Sequence, residues 1–201
     1  MTEAVFQAYF ARAVTDSRFR HRVVAHGKRT LKTEPALTAR ERERVVALAR
    51  DPGMDAIRTI HKGFRLGKLM PMLPLTCSLL GPRRLNREAH AFWKSRPPLT
   101  FHFLEEALAF CEFLDQRMQS GRLKAAYLDE ILVFERAALR LQAARVAGDE
   151  DARQVVRFQH DPEKLMALIA ARKRRSRVRL RACTLVGELH GQDEPVWSLV
   201  D

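Results

Sequence analysis

The sequence has little cysteine and no long apolar run, and these shortages argue against several classes of protein. Its 201 residues include three cysteines, Cys77, Cys111 and Cys183, which lie far apart and form no C-x-x-C pair. Neither a disulfide framework nor a paired-cysteine zinc site is expected, and we predict three reduced core thiols in a cytoplasmic protein. No stretch approaches the ~18 apolar residues that a membrane-spanning helix requires. The first ten residues include Glu3 and no basic cluster, so they do not predict a secretory signal.

Catalytic motifs are also missing from the sequence. It contains no G-x-S-x-G, no glycine-rich phosphate loop and no H-E-x-x-H. The acidic pairs Glu105-Glu106 and Asp129-Glu130 are adjacent in sequence. Adjacent helical residues point about 100° apart, which favours exposed charges over a carboxylate dyad. We therefore predict a chain that is not an enzyme by itself and that holds no catalytic residue, metal ligand or cofactor of its own.

Positive charge is abundant and unevenly distributed. The formal net charge is +12, with 20 Lys/Arg against 8 Asp/Glu in residues 1–100 and 16 against 16 in residues 101–201. Such a field attracts nucleic acid, an anionic membrane surface or an acidic protein or peptide, and it also serves solubility alone. Charge by itself does not choose among these partners.

Hydrophobic periodicity predicts a helical body over residues 1–147. Thr38 and Glu41 form a capping box, and Gly148 is placed to end the last helix. In the third helix we expect Ile57, Ile60, Phe64 and Leu69 to face inward. The predicted helices span 3–24, 38–50, 54–69, 73–80, 85–93, 100–118 and 127–146.

The pattern changes after Gly148. Residues 154–159 predict a strand, 162–171 a helix, 177–189 a strand of period two and 195–200 a last strand. The predicted fold is mainly α with a small α+β C-terminal part: a helical bundle followed by a short strand-helix-strand-strand unit. We divide it into a helical domain, 1–147, and a small α+β domain, 148–201, of the kind that recognises peptides.

Three basic segments stand out, and each has a structural explanation beside a functional one. Residues 18–32 cluster cations near a helix end, where a solvated face is the alternative. Residues 61–68 include Lys62 and Arg65 with two glycines, which favours close approach by another helix or a partner. Residues 172–181 hold seven basic residues. They predict either a guarded sheet edge or an edge that receives an extended acidic peptide by strand addition.

Three segments carry a resemblance to a known family. They are FWKSRPP at 92–98, FHFLEEALAFCEFL at 101–114 and YLDEILVFERAAL at 127–139. Together they resemble bacterial accessory proteins that carry a DNA-binding-domain family label and are encoded beside multinuclear non-haem iron oxidative enzymes. That family includes partner subunits in the biosynthesis of ribosomally made, modified peptides such as methanobactin and 3-thia-amino-acid products. The resemblance covers about 50 of the 201 residues.

The resemblance implies a cytoplasmic, non-catalytic accessory subunit in natural product biosynthesis. It would bind a precursor peptide and form a heterodimer with an iron-dependent oxidative enzyme that holds the iron. Arg177, Arg179 and Arg181 would line the peptide-receiving edge, with Val178 and Leu180 packed beneath them. A surface facing the partner would include Trp93, Phe101, Tyr127 and Glu135, together with Lys62 and Arg65; core packing is the alternative for the aromatic residues. A basic helical protein associated with nucleic acid is the alternative function.

Overall fold

A computed structural model describes residues 3–32, 37–96, 103–171, 177–191 and 193–200 of the protein. These residues form mainly α-helix with a small three-stranded sheet near the C-terminus, so the predicted fold class is confirmed. None of the described helices is long and apolar enough to cross a membrane. The elements are α1 (Glu3–Thr15), α2 (Ser17–His26), α3 (Ala39–Arg50), α4 (Gly53–Met72), α5 (Pro74–Ser95), α6 (Phe103–Gln119), α7 (Leu128–Ala147), β1 (Arg153–His160), α8 (Pro162–Ala170), β2 (Leu180–Glu188) and β3 (Val196–Val200).

Local capping signals set several helix boundaries where the sequence predicts them. The Thr38 hydroxyl accepts the Glu41 N–H and the Glu41 carboxylate accepts the Thr38 N–H, which completes the capping box of α3. Gly148 ends α7 with φ 80°, in the left-handed region that glycine adopts most easily. Asp161 begins α8 by accepting the backbone N–H of Lys164. These ends are specified by residues within one turn of the boundary.

One helix prediction was wrong in its extent, and two others were confirmed within a longer element. The single helix expected over 3–24 is divided into α1 and α2, because the Asp16 carboxylate accepts the N–H groups of Arg18 and Phe19 and starts a new helix. The helices expected over 73–80 and 85–93 are both present in α5, and they meet at a kink at Gly81, where the backbone is not helical. Gly81 has φ 64° and is followed by Pro82, so the first helical segment ends there and the second begins with a proline in its first turn.

The chain divides into two compact units. The first comprises Met1–Gly67 with Ala91–Thr100, and the second comprises Lys68–His90 with Phe101–Asp201. Sixteen Lys/Arg against seven Asp/Glu give the first unit a net charge of +9 out of the total of +12. Secondary structure changes from helix to strand after Ala147, and the division into domains at 147/148 stays a prediction.

The orientation of α4 in the first unit differs from the prediction. Ile57, Ile60 and Phe64 are exposed, and Ile60 keeps 71% of its surface, whereas Arg58 and Arg65 are buried. The helix buries these arginines because each has an internal partner. Carbonyl oxygens accept from Arg58, and the Trp93 ring lies 4.7 Å from the Arg65 guanidinium carbon. Three of the four residues predicted to face inward are therefore exposed, whereas Leu69, which is 2% exposed, is buried as predicted.

The sheet in the second unit is antiparallel with the order β1-β2-β3. Val156 and Phe158 of β1 are buried in a core cluster with Ile131 and Ala137 of α7. Gly187 in the central strand permits this packing: a Cβ there would lie 2.8 Å from both the Leu141 and Trp197 side chains. The sheet therefore packs on α7.

Candidate functional site

The first residues of β2 have a strand on one side only. β2 pairs with β1 from Leu180 to Glu188, but its pairing with β3 covers only Thr184 to Glu188. Within the part of the chain that the structure describes, residues 180–183 therefore lack a strand on the β3 side. Unpaired backbone N–H and C=O groups on a strand are a template for pairing with another extended chain.

A β-bulge lies at the same place. Phe158 is opposite Cys183 and His160 is opposite Leu180, so two steps along β1 match three along β2. The extra residue breaks the period-two alternation and leaves Leu180 71% exposed. The expectation that Leu180 packs beneath the arginines was therefore wrong. Bulges of this kind bend a strand and are common at sheet edges and beside functional sites.

The residues predicted to bind a peptide lie along this open side. Arg177 and Arg179 are exposed, precede the strand and form no ion pair with any described residue. Arg181 is exposed and lies 3.4 Å from the Asp161 carboxylate. Val178 packs at the edge of the sheet core. The segment thus places two guanidinium groups that have no ion pair among the described residues beside strand backbone that has no described neighbour on one side.

Tyr127 connects this segment to α7. It lies just before α7 with φ 64°, a strained backbone region for a residue other than glycine. Its hydroxyl accepts the Val178 N–H at 3.1 Å, and its ring meets the His160 ring edge-on, with centroids 4.9 Å apart. One residue predicted to bind a partner and one predicted to bind a peptide are thus brought together. Tyr127 also lines a shallow cavity of about 560 Å³ with Asp129.

The buried carboxylate of Glu130 fixes the end of β1. Its Oε2 accepts the N–H groups of Gln159 at 2.7 Å and His160 at 3.1 Å, and its Oε1 lies 2.6 Å from Nδ1 of His160. Both N–H groups belong to the bulged region, where pairing with β2 is irregular. Glu130 therefore supplies the acceptor that the irregular ladder does not provide. The prediction that Glu130 is an exposed charge was wrong, because its side chain is buried.

Asp161 lies directly after β1 and fixes the start of α8. Its carboxylate also contacts the side chains of Lys164 at 3.3 Å and Arg181 at 3.4 Å. The Lys164 backbone N–H, followed by the positive charges of Lys164 and Arg181, lowers the pKa of Asp161. The carboxylate is therefore ionised at neutral pH and partly compensates the positive charge of Arg181. Arg177 and Arg179 have no such partner among the described residues.

Other residues predicted to face a partner are internal. Glu135 is 4% exposed and accepts the N–H groups of Leu75 at 2.7 Å and Thr76 at 2.9 Å at the start of α5. Burial raises the pKa of its carboxyl group. Trp93 is buried with Arg65 over its ring. These contacts are those of packing and capping residues.

The remaining predicted partner residues differ in their setting. Lys62 is half-buried, and burial followed by the charge of Arg58 lowers its pKa. Phe101 lies outside the described residues. The predicted partner residues consequently do not form one exposed surface.

An exposed apolar stripe on α4 was not predicted from the sequence. Ile57, Ile60 and Phe64 recur at helical spacing on its outer side, and a Cβ built on either Gly63 or Gly67 would meet no atom within 4 Å. We define these five residues as the α4 stripe. The two glycines were the available signal, because they interrupt a helix without any packing requirement inside the chain.

Metal and thiol chemistry have little support in the described residues. In the described ranges, no group of three or more His, Cys, Asp or Glu side chains is arranged to hold a metal ion. Burial raises the pKa of the Cys77 and Cys111 thiols to about 12, so neither is a nucleophile at neutral pH.

Comparison with known proteins gives no assignment. No family model matches the sequence. No curated protein matches it either. The resemblance described in the sequence analysis therefore stays a prediction.

Proposed function

We propose that this chain is a non-catalytic accessory subunit that binds an extended precursor peptide and presents it to a partner enzyme. The observation that carries the proposal is the open side of β2 at residues 180–183, flanked by the exposed cations Arg177 and Arg179. The iron-dependent, oxidative character of the partner rests on the family resemblance alone. In this proposal the iron belongs to the partner enzyme.

The peptide is an extended, acidic segment. Its backbone pairs with residues 180–183, in line with β3, and its carboxylates meet Arg177 and Arg179. A hydrogen bond to a charged group contributes about 1.5–3 kcal/mol when it is shielded from water, and much less when it is exposed. Because both arginines are exposed, we expect them to act mainly on the association rate, and through it on affinity, and on the preference for acidic peptides.

The partner enzyme docks on the α4 stripe in this proposal. Ile57, Ile60 and Phe64 supply apolar area, and the two glycines of the stripe let a partner backbone approach closely. The unit that carries the stripe has a net charge of +9, which favours a partner with an acidic rim around an apolar contact. Burying one isoleucine side chain contributes about 1.5–3 kcal/mol.

The first experiment is an affinity purification of the tagged chain from its native host, with nuclease added, followed by mass spectrometry and iron analysis. The expected result is an iron-bearing oxidative enzyme together with a short peptide. Ile60→Asp should lose the enzyme, while Val146→Asp, at a residue 78% exposed, should retain it. Recovery of the enzyme with both variants would exclude the α4 stripe as the docking surface.

A second set of variants tests the peptide edge. The triple replacement Arg177→Ser, Arg179→Ser, Arg181→Ser should weaken peptide binding at least tenfold, which corresponds to about 1.4 kcal/mol. The matched control replaces Arg18, Arg22 and Arg29 by serine, which removes the same charge from another exposed region. Equal peptide affinity for wild type and the first variant at physiological salt would refute the strand-edge proposal.

Nucleic-acid association is the second candidate, favoured by the basic first unit. Arg18, Arg22 and Arg29 are exposed on α2 and the turn that follows it. Phosphate contacts make affinity fall steeply with salt, in proportion to the number of contacts. An oligonucleotide affinity that is flat between low and physiological salt would exclude this function. A steep fall that the Arg18, Arg22 and Arg29 replacement abolishes would favour it.

A further inference from the structure

A basic groove lies between α2 and α4 in the first unit. One face of α2 lines the groove. It carries Ser17, Arg20, His21 and Val24, which lie at positions i, i+3, i+4 and i+7 of that helix. Arg58 of α4 completes the lining, and the half-open cavity measures about 290 Å³. This volume is near the lower end of the range for small-molecule sites, roughly 300–1,000 Å³.

Arg58 is the most deeply placed cation of the groove. It is 8% exposed, and its Nη1 donates to the carbonyl oxygens of Ala13 at 3.0 Å and Val14 at 3.2 Å. Its Nη2 donates to the Ser17 hydroxyl. These partners are all neutral, and none of the carboxylates in the described residues forms an ion pair with Arg58. A buried guanidinium that has only neutral partners retains a strong attraction for an anion.

Two further cations surround Arg58. Arg20 donates its Nε to the Ala49 carbonyl at 2.9 Å, and its Nη1 contacts the exposed Asp55 carboxylate. Burial first, and then the neighbouring charge of Arg20, lowers the pKa of Arg58. Burial and the charge of Arg58 similarly lower the pKa of Lys62. Asp55 and Asp16 act in the opposite direction on the pKa of Arg58. Because Asp55 is paired with Arg20 and Asp16 caps α2, the region still concentrates positive charge that an anion would compensate.

We propose that this groove binds a phosphate-type oxyanion. The contacts above use three of the five N–H donors of Arg58 and two of the five of Arg20, so both guanidinium groups keep donors for an anion. The Ser17 hydroxyl lines the same groove, and this combination is suited to several oxygens on one phosphorus atom. The cavity accommodates a phosphate group with a small organic part attached. The phosphate belongs to a small phosphorylated molecule or to a nucleic-acid backbone. This site is independent of the proposed peptide edge and of the α4 stripe.

The test is a titration of the full chain with inorganic phosphate at constant ionic strength, followed by amide shifts in NMR and by calorimetry. We expect saturable binding with the largest shifts at the amides of Ser17 and His21. Absence of saturation, or equal shifts spread over all basic regions, would overturn the proposal. Acetate serves as the planar comparison anion and should bind more weakly.

Matched variants separate a built site from general positive charge. Arg20→Gln should weaken phosphate binding about tenfold, a loss of about 1.4 kcal/mol. Arg22→Gln removes the same charge from an exposed position on α2 that does not line the groove, and it should change affinity less than twofold. Val24→Phe fills the groove without changing charge and should also abolish binding. Equal losses for the two arginine variants, or unchanged affinity in Val24→Phe, would refute the site.

A short single-stranded oligonucleotide then identifies the source of the phosphate. If it displaces inorganic phosphate from wild type and loses affinity in Val24→Phe, the ligand is a nucleic-acid phosphate. If phosphate stays bound in its presence, the ligand is a small phosphorylated molecule. Circular dichroism of each variant establishes that the helices remain folded.

Discussion

Replacing Glu130 tests whether its buried carboxylate fixes the end of β1, where His160 is opposite Leu180 of the candidate peptide edge. Glu130→Ala removes the acceptor of the Gln159 and His160 N–H groups and the partner of the His160 ring. Glu130→Gln is a much milder change. Both N–H groups bond to the same oxygen, Oε2, so a single amide oxygen can accept both while the amide NH₂ donates to Nδ1 of His160.

The expected magnitudes follow from these contacts. An unsatisfied buried donor costs about 1–3 kcal/mol, and two donors are affected in Glu130→Ala, although relief of carboxylate burial offsets part of the loss. We therefore expect Glu130→Ala to lower the free energy of unfolding by about 2–4 kcal/mol. Glu130→Gln should cost about 1 kcal/mol or less. Against a typical total of roughly 5–15 kcal/mol, the alanine variant is severely destabilised but still folded.

The assay is urea unfolding followed by circular dichroism, with amide hydrogen exchange at Gln159 and His160 as the local measurement. Glu163→Ala, at an exposed position in the first turn of α8, is the matched control and should lose a few tenths of a kcal/mol. If Glu130→Ala and Glu163→Ala lose equal stability, or if exchange at Gln159 and His160 is unchanged, the anchoring role of Glu130 is refuted.

Three further predictions concern other buried features. Gly187→Val should lower the free energy of unfolding by about 1–3 kcal/mol in thermal denaturation, because the new side chain would overlap Trp197; an unchanged midpoint would contradict this. Cys77 and Cys111, whose thiol pKa is raised to about 12, should react with Ellman's reagent only in denaturant, and rapid native labelling of either would count against their burial. Burial raises the pKa of the Glu135 carboxyl above its ordinary value of 4.5, so on acidification from pH 7 the folded state takes up a proton before the unfolded state does. Lower pH should therefore raise the free energy of unfolding of wild type relative to Glu135→Gln. A difference between the two proteins that does not depend on pH would contradict the direction of the shift.

The arrangement of the candidate site was only partly predictable from the sequence. The basic run at 177–181 indicated a sheet edge, and the open side of β2 begins within that run, at Leu180. The bulge that exposes Leu180 and the carboxylate of Glu130 that supports it could not be predicted, because each depends on an element distant in sequence. Glu130 and Gln159 are 29 residues apart.

Most helices and strands of this protein were predictable from the sequence, because their ends are set by residues close in sequence. The capping box of Thr38 and Glu41, the glycine at 148 and the cap at Asp161 act within a few residues, and a periodicity needs no distant partner to be recognised. The net charge likewise favours an anionic partner, because it is a sum over residues and does not depend on how the chain arranges them.

The face of α4 that is buried depends on tertiary contacts and could not be predicted from the sequence. The hydrophobic pattern favoured Ile57, Ile60 and Phe64, yet Arg58 and Arg65 lie inside, because carbonyl groups at the end of α1 and the ring of Trp93 receive them. A buried arginine is stable only where such acceptors converge, and their convergence is a property of the folded chain. For the same physical reason, the α4 stripe is exposed and Arg58 lines the basic groove.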